Sequence, residues 1–328
     1  MKPNQAPRAV ITTDVDRHPA VKAWLAATRS GRVPPSVVVM RERPAHHQGI
    51  YRLPDVGTDG RTVYAKWGMT PAILREQLIQ ELVLPHLPVT TPRYYGTCVD
   101  GSDAWLFVED VGEVRFSRTD AEHRRVAGRW FGTLHAGATS LGPPDGVSEA
   151  GPARYLGHLR AGRATIETSL GRWAFPPDDT EVLIALLRLC EVIEARWMQV
   201  EAGCDGAPAT LVHGDFQPKN AFMRSLGNGL ELCAIDWEMA GWGPPAIDLT
   251  RIDLSAYWGV VRDAWRVDLE TVERLSRFGR VLELSAALDW KCASLLLERP
   301  EYRREAVSDL ALILSRSIDA ARAAHIVA

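Results

Sequence analysis

Apolar positions along this chain repeat with two different periods. His18 to Thr28 has helical spacing and stops near Gly31 and Pro34-Pro35. Short runs follow: Val37 to Met40, Gly49 to Leu53 and Thr62 to Trp67. They are rich in β-branched and aromatic residues and bounded by Gly, Pro and Asp, which predicts strands. Thr70-Pro71 then opens a helix, with Thr70 as N-cap, Pro71 in the first turn, and Ile73, Leu74, Leu78, Ile79, Leu82 and Val83 as one apolar face. Two more strands are expected, Arg93 to Val99 and Trp105 to Glu109, joined by Asp100-Gly101-Ser102-Asp103.

After residue 112 the helical period dominates. Thr119 and Glu122 have the spacing of a capping box. The helix they open carries Val126, Trp130, Phe131, Leu134 and Ala138 on one face. Residues 142–152 read as a loop, and helices are expected near Tyr155 to Leu170, from Glu181 to about Ala202, and from about Asp268 onward. The expectation is α+β, with a small strand-rich first domain over residues 1–111, including a leading helix and extension over 1–33. A larger helical domain takes 112–328.

Composition adds exclusions. The 328 residues carry 38 Lys plus Arg against 41 Asp plus Glu, a net charge of −3. That argues against a chain built to coat nucleic acid. No window supplies the ~18 consecutive apolar residues of a membrane helix, so no membrane partner is expected. Residues 1–15 lack the apolar core of a signal peptide. The five cysteines are scattered and form no C-x-x-C pair, as expected of free thiols in a cytoplasmic protein. The 11 Trp exceed the 7 Tyr and the 7 Phe, an ordering that asks where the indoles go.

The chemistry concentrates between Ala209 and Asp248. One short apolar run, Thr210 to Val212, ends in His213-Gly214-Asp215, with Gln217-Pro218-Lys219-Asn220 following. A second, Leu230 to Ile235, ends in Asp236-Trp237-Glu238. Carboxylate and amide oxygens at strand ends suit Mg²⁺, and an Asp there can accept a proton from a hydroxyl. The segment resembles the aminoglycoside phosphotransferase and choline kinase-like group of small-molecule kinases. That group reads H-G-D-x-x-x-x-N and I-D-[FWY]-[DE], matched here by His213 to Asn220 and by Ile235 to Glu238.

The resemblance implies a bilobal protein kinase-like fold, with an antiparallel-sheet N-lobe and a mostly helical C-lobe. It implies Asp215 as catalytic base, and Asn220 and Asp236 as holders of Mg²⁺ at the phosphates of ATP, with GTP as the alternative nucleotide. It implies Lys66 on the third strand paired with a glutamate of the next helix. Both Glu76 and Glu81 border the apolar face, and the family's Arg-Glu pair, matched by Arg75-Glu76, selects Glu76. Backbone groups of Val108, Glu109 and Asp110 would meet the base. Asp248 would brace the catalytic loop, and Leu134-His135-Ala136 matches a family segment. His213 is read as a backbone support and Glu238 as either metal assistance or structure. Lys219, His46 and His47 read as solvated loop residues. The turn from Arg43 to Gly49 departs from G-x-G-x-x-G, so phosphate contacts there stay unassigned.

The implied activity is ATP- and Mg²⁺-dependent phosphoryl transfer to a hydroxyl of a small molecule: an aminoglycoside or macrolide antibiotic, a sugar or an amino alcohol. Antibiotic resistance is one setting for it. A nucleotide-binding pseudokinase is the rival. Trp237, Trp242, Tyr257, Trp258, Trp265 and Trp290 are candidates for an aromatic cage around a cation, with core packing as the alternative. The near-neutral charge weighs against a purely polycationic acceptor, and a monomer or homodimer is expected.

Overall fold

A computed structural model describes residues 7–44, 47–227 and 229–327; His46 lies outside the described residues, as do residues 1–6. The chain forms two compact units. The first takes residues up to Trp130, Pro144–Val147 and Phe216–Ala240. The second takes Phe131–Pro143, Ser148–Asp215 and Gly241–Ala328.

The first unit is built on an antiparallel sheet of six strands. They are β1 (Ala9–Ile11), β2 (Val37–Arg43), β3 (Gln48–Leu53), β4 (Val63–Met69), β5 (Tyr94–Asp100) and β6 (Asp103–Glu109), ordered β1-β2-β3-β4-β6-β5. β1 was not legible, because three residues within a polar stretch carry no alternation to read. Helix α1 (Pro19–Thr28) packs Val21 and Trp24 on one sheet face, against Val37, Leu53, Val63 and Phe107. The indole of Trp24 meets Phe107 edge-on at 5.5 Å, and its Nε1–H donates to the Arg32 carbonyl at 3.1 Å. Each such buried aromatic contributes roughly 1.5–3 kcal/mol of apolar burial, so part of the tryptophan excess is plain core.

Helix α2 (Thr70–Leu82) covers the other face and corrects two expectations. Its N-cap is Met69, which offers no side-chain cap, while the Thr70 hydroxyl donates to the Gly101 carbonyl at 3.1 Å. Its buried residues are Ile73, Glu76, Ile79 and Gln80, whereas Leu74 and Leu82 are exposed. Glu76 therefore sits in the middle of the inward stripe rather than at its border. An apolar count could not show this, because the partner that draws the carboxylate inward lies on β4.

Helix α3 (Ala121–Leu141) is capped by Asp120, whose carboxylate accepts the N–H groups of Glu122 and His123, so the Thr119 capping box is one residue off. The expected helix over 181–202 is two, α5 (Pro177–Ala195) and α6 (Trp197–Gly203), broken where Arg196 leaves helical geometry at φ −111°, ψ 20°. The second unit also holds α4 (Pro152–Arg172), α7 (Leu254–Trp265), α8 (Leu269–Cys292) and α9 (Pro300–Ala323), with β7 (Thr210–Val212) paired to β10 (Gly241–Gly243). The hairpin β8 (Ala221–Leu226) and β9 (Gly229–Ala234) belongs to the first unit. Among the described residues no helix is long and apolar enough to cross a membrane. All five cysteines are free thiols. Burial pushes Cys190, Cys204 and Cys233 up to about 12.

Candidate active site

In the first unit, Lys66 stands on a central strand of the sheet, and its ammonium is drawn among three carboxylates. Its Nζ lies 2.8 Å from Glu76, 2.9 Å from Glu238, and in close contact with Asp236. Burial works against the charge on Lys66, but Glu76, Asp236 and Glu238 outweigh it and hold the pKa well above the ordinary lysine range. Glu76 shows the other side of the same balance. Burial, with Asp236 and Glu238 adding to it, raises its carboxyl above the usual range, and Lys66 only partly offsets this. One ammonium against three carboxylates leaves the cluster short of positive charge.

The backbone explains how the acids arrive. β9 ends at Ala234, and Asp236 takes a left-handed conformation, φ 69° and ψ 60°, which costs an ordinary residue about 1–3 kcal/mol. That turn starts a short 3-10 segment, Trp237–Met239, which buries Trp237 and leaves Glu238 near Lys66. The Trp237 indole N–H donates back to the Ala234 carbonyl at 3.3 Å, and Arg75 Nε reaches the Glu238 carbonyl at 3.3 Å. Asn220 lies at the same end of the hairpin, because its carbonyl accepts the Ile235 N–H at 2.9 Å. The backbones of Asn220 and Asp236 thus lie at one end of the β8–β9 hairpin.

Oxygen donors of this kind suit a hard divalent cation. One carboxylate oxygen from each of Glu76, Asp236 and Glu238 lies within 4.8 Å of the others. The donor set fits Mg²⁺ in hardness and charge.

The second unit holds the His213-Gly214-Asp215 turn, fixed by a buried polar network. Asp248 accepts the His213 N–H at 2.6 Å and the Gly214 N–H at 3.1 Å. The same carboxylate lies 3.3 Å from His135 Nε2, whose Nδ1 is 3.0 Å from the Tyr257 hydroxyl. Thr210 donates to the His135 carbonyl at 2.8 Å, and the Asp215 N–H donates to His213 Nδ1 at 3.3 Å. Gly214 has φ +77°, which favours glycine. Asp248, His135 and His213 are fully buried, whereas Asp215 keeps some exposure. Asp215 is the last residue of its segment in this unit, and the chain re-enters the first unit at Phe216.

Val108 and Glu109 close β6, followed by Asp110. The N–H groups of Glu109 and Asp110 donate to the carbonyls of Arg93 at 2.8 Å and Thr62 at 3.0 Å. Burial alone would raise the Glu109 carboxyl, but the Arg93 N–H and the guanidinium groups of Arg224 and Arg61 pull it below its ordinary value. That side chain is a brace. Lys219 is exposed, and so is His47, which pairs with Asp103 at 2.8 Å.

The aromatic candidates have separate partners. Trp237 packs near Trp130, and Trp265 meets Tyr257 edge-on at 6.3 Å. Trp258 donates to the Val267 carbonyl, and Trp290 meets His158 at 6.0 Å. A cavity of about 530 Å³ in the first unit is lined by Arg61, Gln80, Tyr94 and Glu109 among others, and by none of Lys66, Glu76, Asp236 and Glu238. That cavity and the charge cluster are therefore separate features of the first unit.

The family described as "Phosphotransferase enzyme family" matches residues 37–282. No curated protein sequence matches the chain significantly. Among solved structures, a mutant aminoglycoside 2'-phosphotransferase-IIIa in complex with GDP is 14% identical with a TM-score of 0.58, covering 88% of this chain and 94% of its own. Choline kinase from Cryptosporidium parvum Iowa II is 12% identical with a TM-score of 0.55, covering 86% and 90%. A spectinomycin phosphotransferase in complex with ADP and spectinomycin is 11% identical with a TM-score of 0.51, covering 89% and 96%. At these identities the likeness shows the fold, which is α+β and of the protein kinase-like type found in small-molecule kinases.

Proposed function

Because the chain belongs to the phosphotransferase enzyme family, we propose that it moves the γ-phosphoryl group of ATP, or of GTP, to a hydroxyl of a small molecule. The observation that carries this reading is the gathering of Glu76, Asp236 and Glu238 around Lys66. An excess of acid around one lysine suits a site that completes its charge balance with a metal and a polyphosphate.

Lys66 orients the phosphates, and Glu76 holds Lys66 in position. Asn220 and Asp236 hold Mg²⁺, with Glu238 as a further oxygen donor. The bound metal would supply positive charge against the phosphate oxygens. The backbone of Val108, Glu109 and Asp110 meets the purine, mainly through carbonyl groups, because two of the amides are already committed. Asp215 accepts the proton of the acceptor hydroxyl. The oxygen of that hydroxyl would bond to the γ-phosphorus as the bond from that phosphorus to the bridging β,γ-oxygen breaks, the nucleoside diphosphate leaving. The products are a phosphate monoester and the nucleoside diphosphate. In this reading residues 1–111 serve mainly the nucleotide and 112–328 catalysis and the acceptor, a functional division distinct from the two compact units, the first of which also holds Phe216–Ala240.

The acceptor class is an alcohol. The related structures include a choline kinase and antibiotic phosphotransferases. Asp215→Asn keeps the size of the side chain and removes the base. It is expected to lower kcat by about 10²–10⁴-fold in a nucleotide-consumption screen over aminoglycosides, macrolides, sugars and amino alcohols, with Tm unchanged. Full turnover by the Asn variant on any acceptor found for the parent protein would overturn the assignment. Nucleotide binding without turnover on any acceptor would favour the pseudokinase.

A further inference from the structure

The turn between β2 and β3 has no glycine-rich sequence to wrap a polyphosphate with backbone amides. The strand leading into it carries Arg41 instead. Residues Val37 and Val39 of β2 face the Trp24 core. Unbroken alternation would send Arg41 the same way. The register shifts at this point, however: Val39 pairs with Tyr51, and Arg41, not Met40, pairs with Ile50. The bulge turns Arg41 to the opposite face.

Residues directly opposed in antiparallel strands share a face. Ile50 pairs with Lys66, and Lys66 pairs with Leu106. Arg41, Ile50, Lys66 and Leu106 therefore form one row across β2, β3, β4 and β6. Arg41 and Lys66 stand two strands apart, about 10 Å at the backbone, within joint reach of an extended anion.

Arg41 is half-buried, and its Nε is buried with no hydrogen-bond partner among the described residues. Burial pulls its pKa down, and Arg43 and Arg8 add to this; the field of Asp236 and, more weakly, of Glu238 acts in the other direction. A guanidinium still carries its charge under such conditions. A part-buried cation with an unused donor is costly unless an anion completes it. A nucleoside triphosphate would bring several negative charges beside three carboxylates that have one ammonium between them. A second fixed cation on the same face is what that balance needs.

We infer that Arg41 is a phosphate clamp: with Lys66 it holds the polyphosphate chain of the nucleotide, in place of a glycine-rich turn. The inference rests on the proposed function and adds a residue to it.

The test is calorimetric binding of ATP, ADP and adenosine to the full chain and to its Arg41→Ala and Arg41→Lys variants. Charge-assisted bonds to phosphate are strong. Arg41→Ala is expected to weaken ATP and ADP about tenfold or more, and adenosine less than twofold. Arg41→Lys should recover part of the loss. Without nucleotide, the Tm of Arg41→Ala should stay level or rise, since no partner of its Nε is lost. An Ala variant that binds ATP as the parent does overturns the clamp alone. Equal loss of adenosine overturns it too, because the effect would then lie in the shape of the strand. A parent protein that binds no nucleotide overturns the clamp together with the proposed function.

Discussion

The acid cluster around Lys66 and the polar network around Asp248 both bury carboxylates, yet they are built on opposite principles. Asp248 is fully buried, and its oxygens are met by two backbone amides and His135. Each of these donors has its acceptor inside one unit. Around Lys66 three carboxylates gather at one ammonium, Asp236 takes a left-handed backbone conformation, and the Arg41 Nε has no hydrogen-bond partner among the described residues. A satisfied buried network holds a loop in place. An unbalanced, partly exposed one has charge that a ligand could complete. The two regions should therefore fail in opposite ways when cut.

The largest separation is expected from Asp236→Asn. Asparagine tolerates the left-handed conformation, so the turn survives, and one charge is removed from a crowded set. Phosphoryl transfer should fall by about 10³-fold or more, as several kcal/mol of charge stabilisation are lost. Tm should stay level or rise. Paired kinetic and thermal measurements check this, and a Tm drop as large as the one expected next would erase the contrast.

Asp248→Ala is the reverse cut. It leaves two backbone N–H groups and His135 without their acceptor in a water-free site, at about 1–3 kcal/mol for each unsatisfied group and roughly 3–5 kcal/mol together. Urea unfolding should show that loss, and kcat per folded molecule should fall as well, because the turn that carries Asp215 loses its brace. Wild-type stability in this variant would mean that the network does not carry the load assigned to it.

How far these regions could be read from the sequence follows from the same contrast. The fold class was legible because alternation in 37–109 and helical spacing after 112 differ in period. The turns that follow β7 and β9, with His213, Asp215 and Asp236, could be placed because a short strand ending in a fixed motif is local information. The face of α2 was not legible. Leu74 and Leu82 read as core and are exposed, while Glu76 reads as a border residue and lies inside. That inversion is set by Lys66, a partner from another element, which no hydrophobic count within the helix contains. The face of Arg41 was not legible for a related reason. Its face depends on a register shift against β3, and pairing register is a property of two strands. The break at Arg196 and the one-residue error at the α3 cap are losses of the commoner kind, at element ends.

A smaller effect tests the loop within the satisfied network. Gly214 has φ +77° between two residues whose amides are fixed. Gly214→Ala places a Cβ in a left-handed conformation, at about 1–2 kcal/mol. The loop can relax only by giving up the Asp248 bond, so kcat should fall with little change in nucleotide affinity. Unchanged kcat and stability together would show that the turn is freer than its hydrogen bonds suggest.

The smallest effect is a slope. Glu76 has a folded pKa raised above its unfolded value, near ~4.3. As pH falls through the folded value, the native state binds a proton before the unfolded state does, so stability rises. Below the unfolded value both states are protonated and the gain is complete. Lys66 does not oppose this, because its raised pKa keeps it charged throughout, and its own contribution is lost only when pH rises through its folded value. Glu76→Gln removes the titrating group while leaving a donor and an acceptor in its place. Urea midpoints between the unfolded and folded values of Glu76 should rise toward acid in the parent and flatten in the variant. The level shifts between the two proteins, since an ion pair is also lost, but the slope belongs to Glu76. Parallel profiles would mean that the acid excess around Lys66 is already compensated, and the contrast with Asp248 would then lose its electrostatic basis.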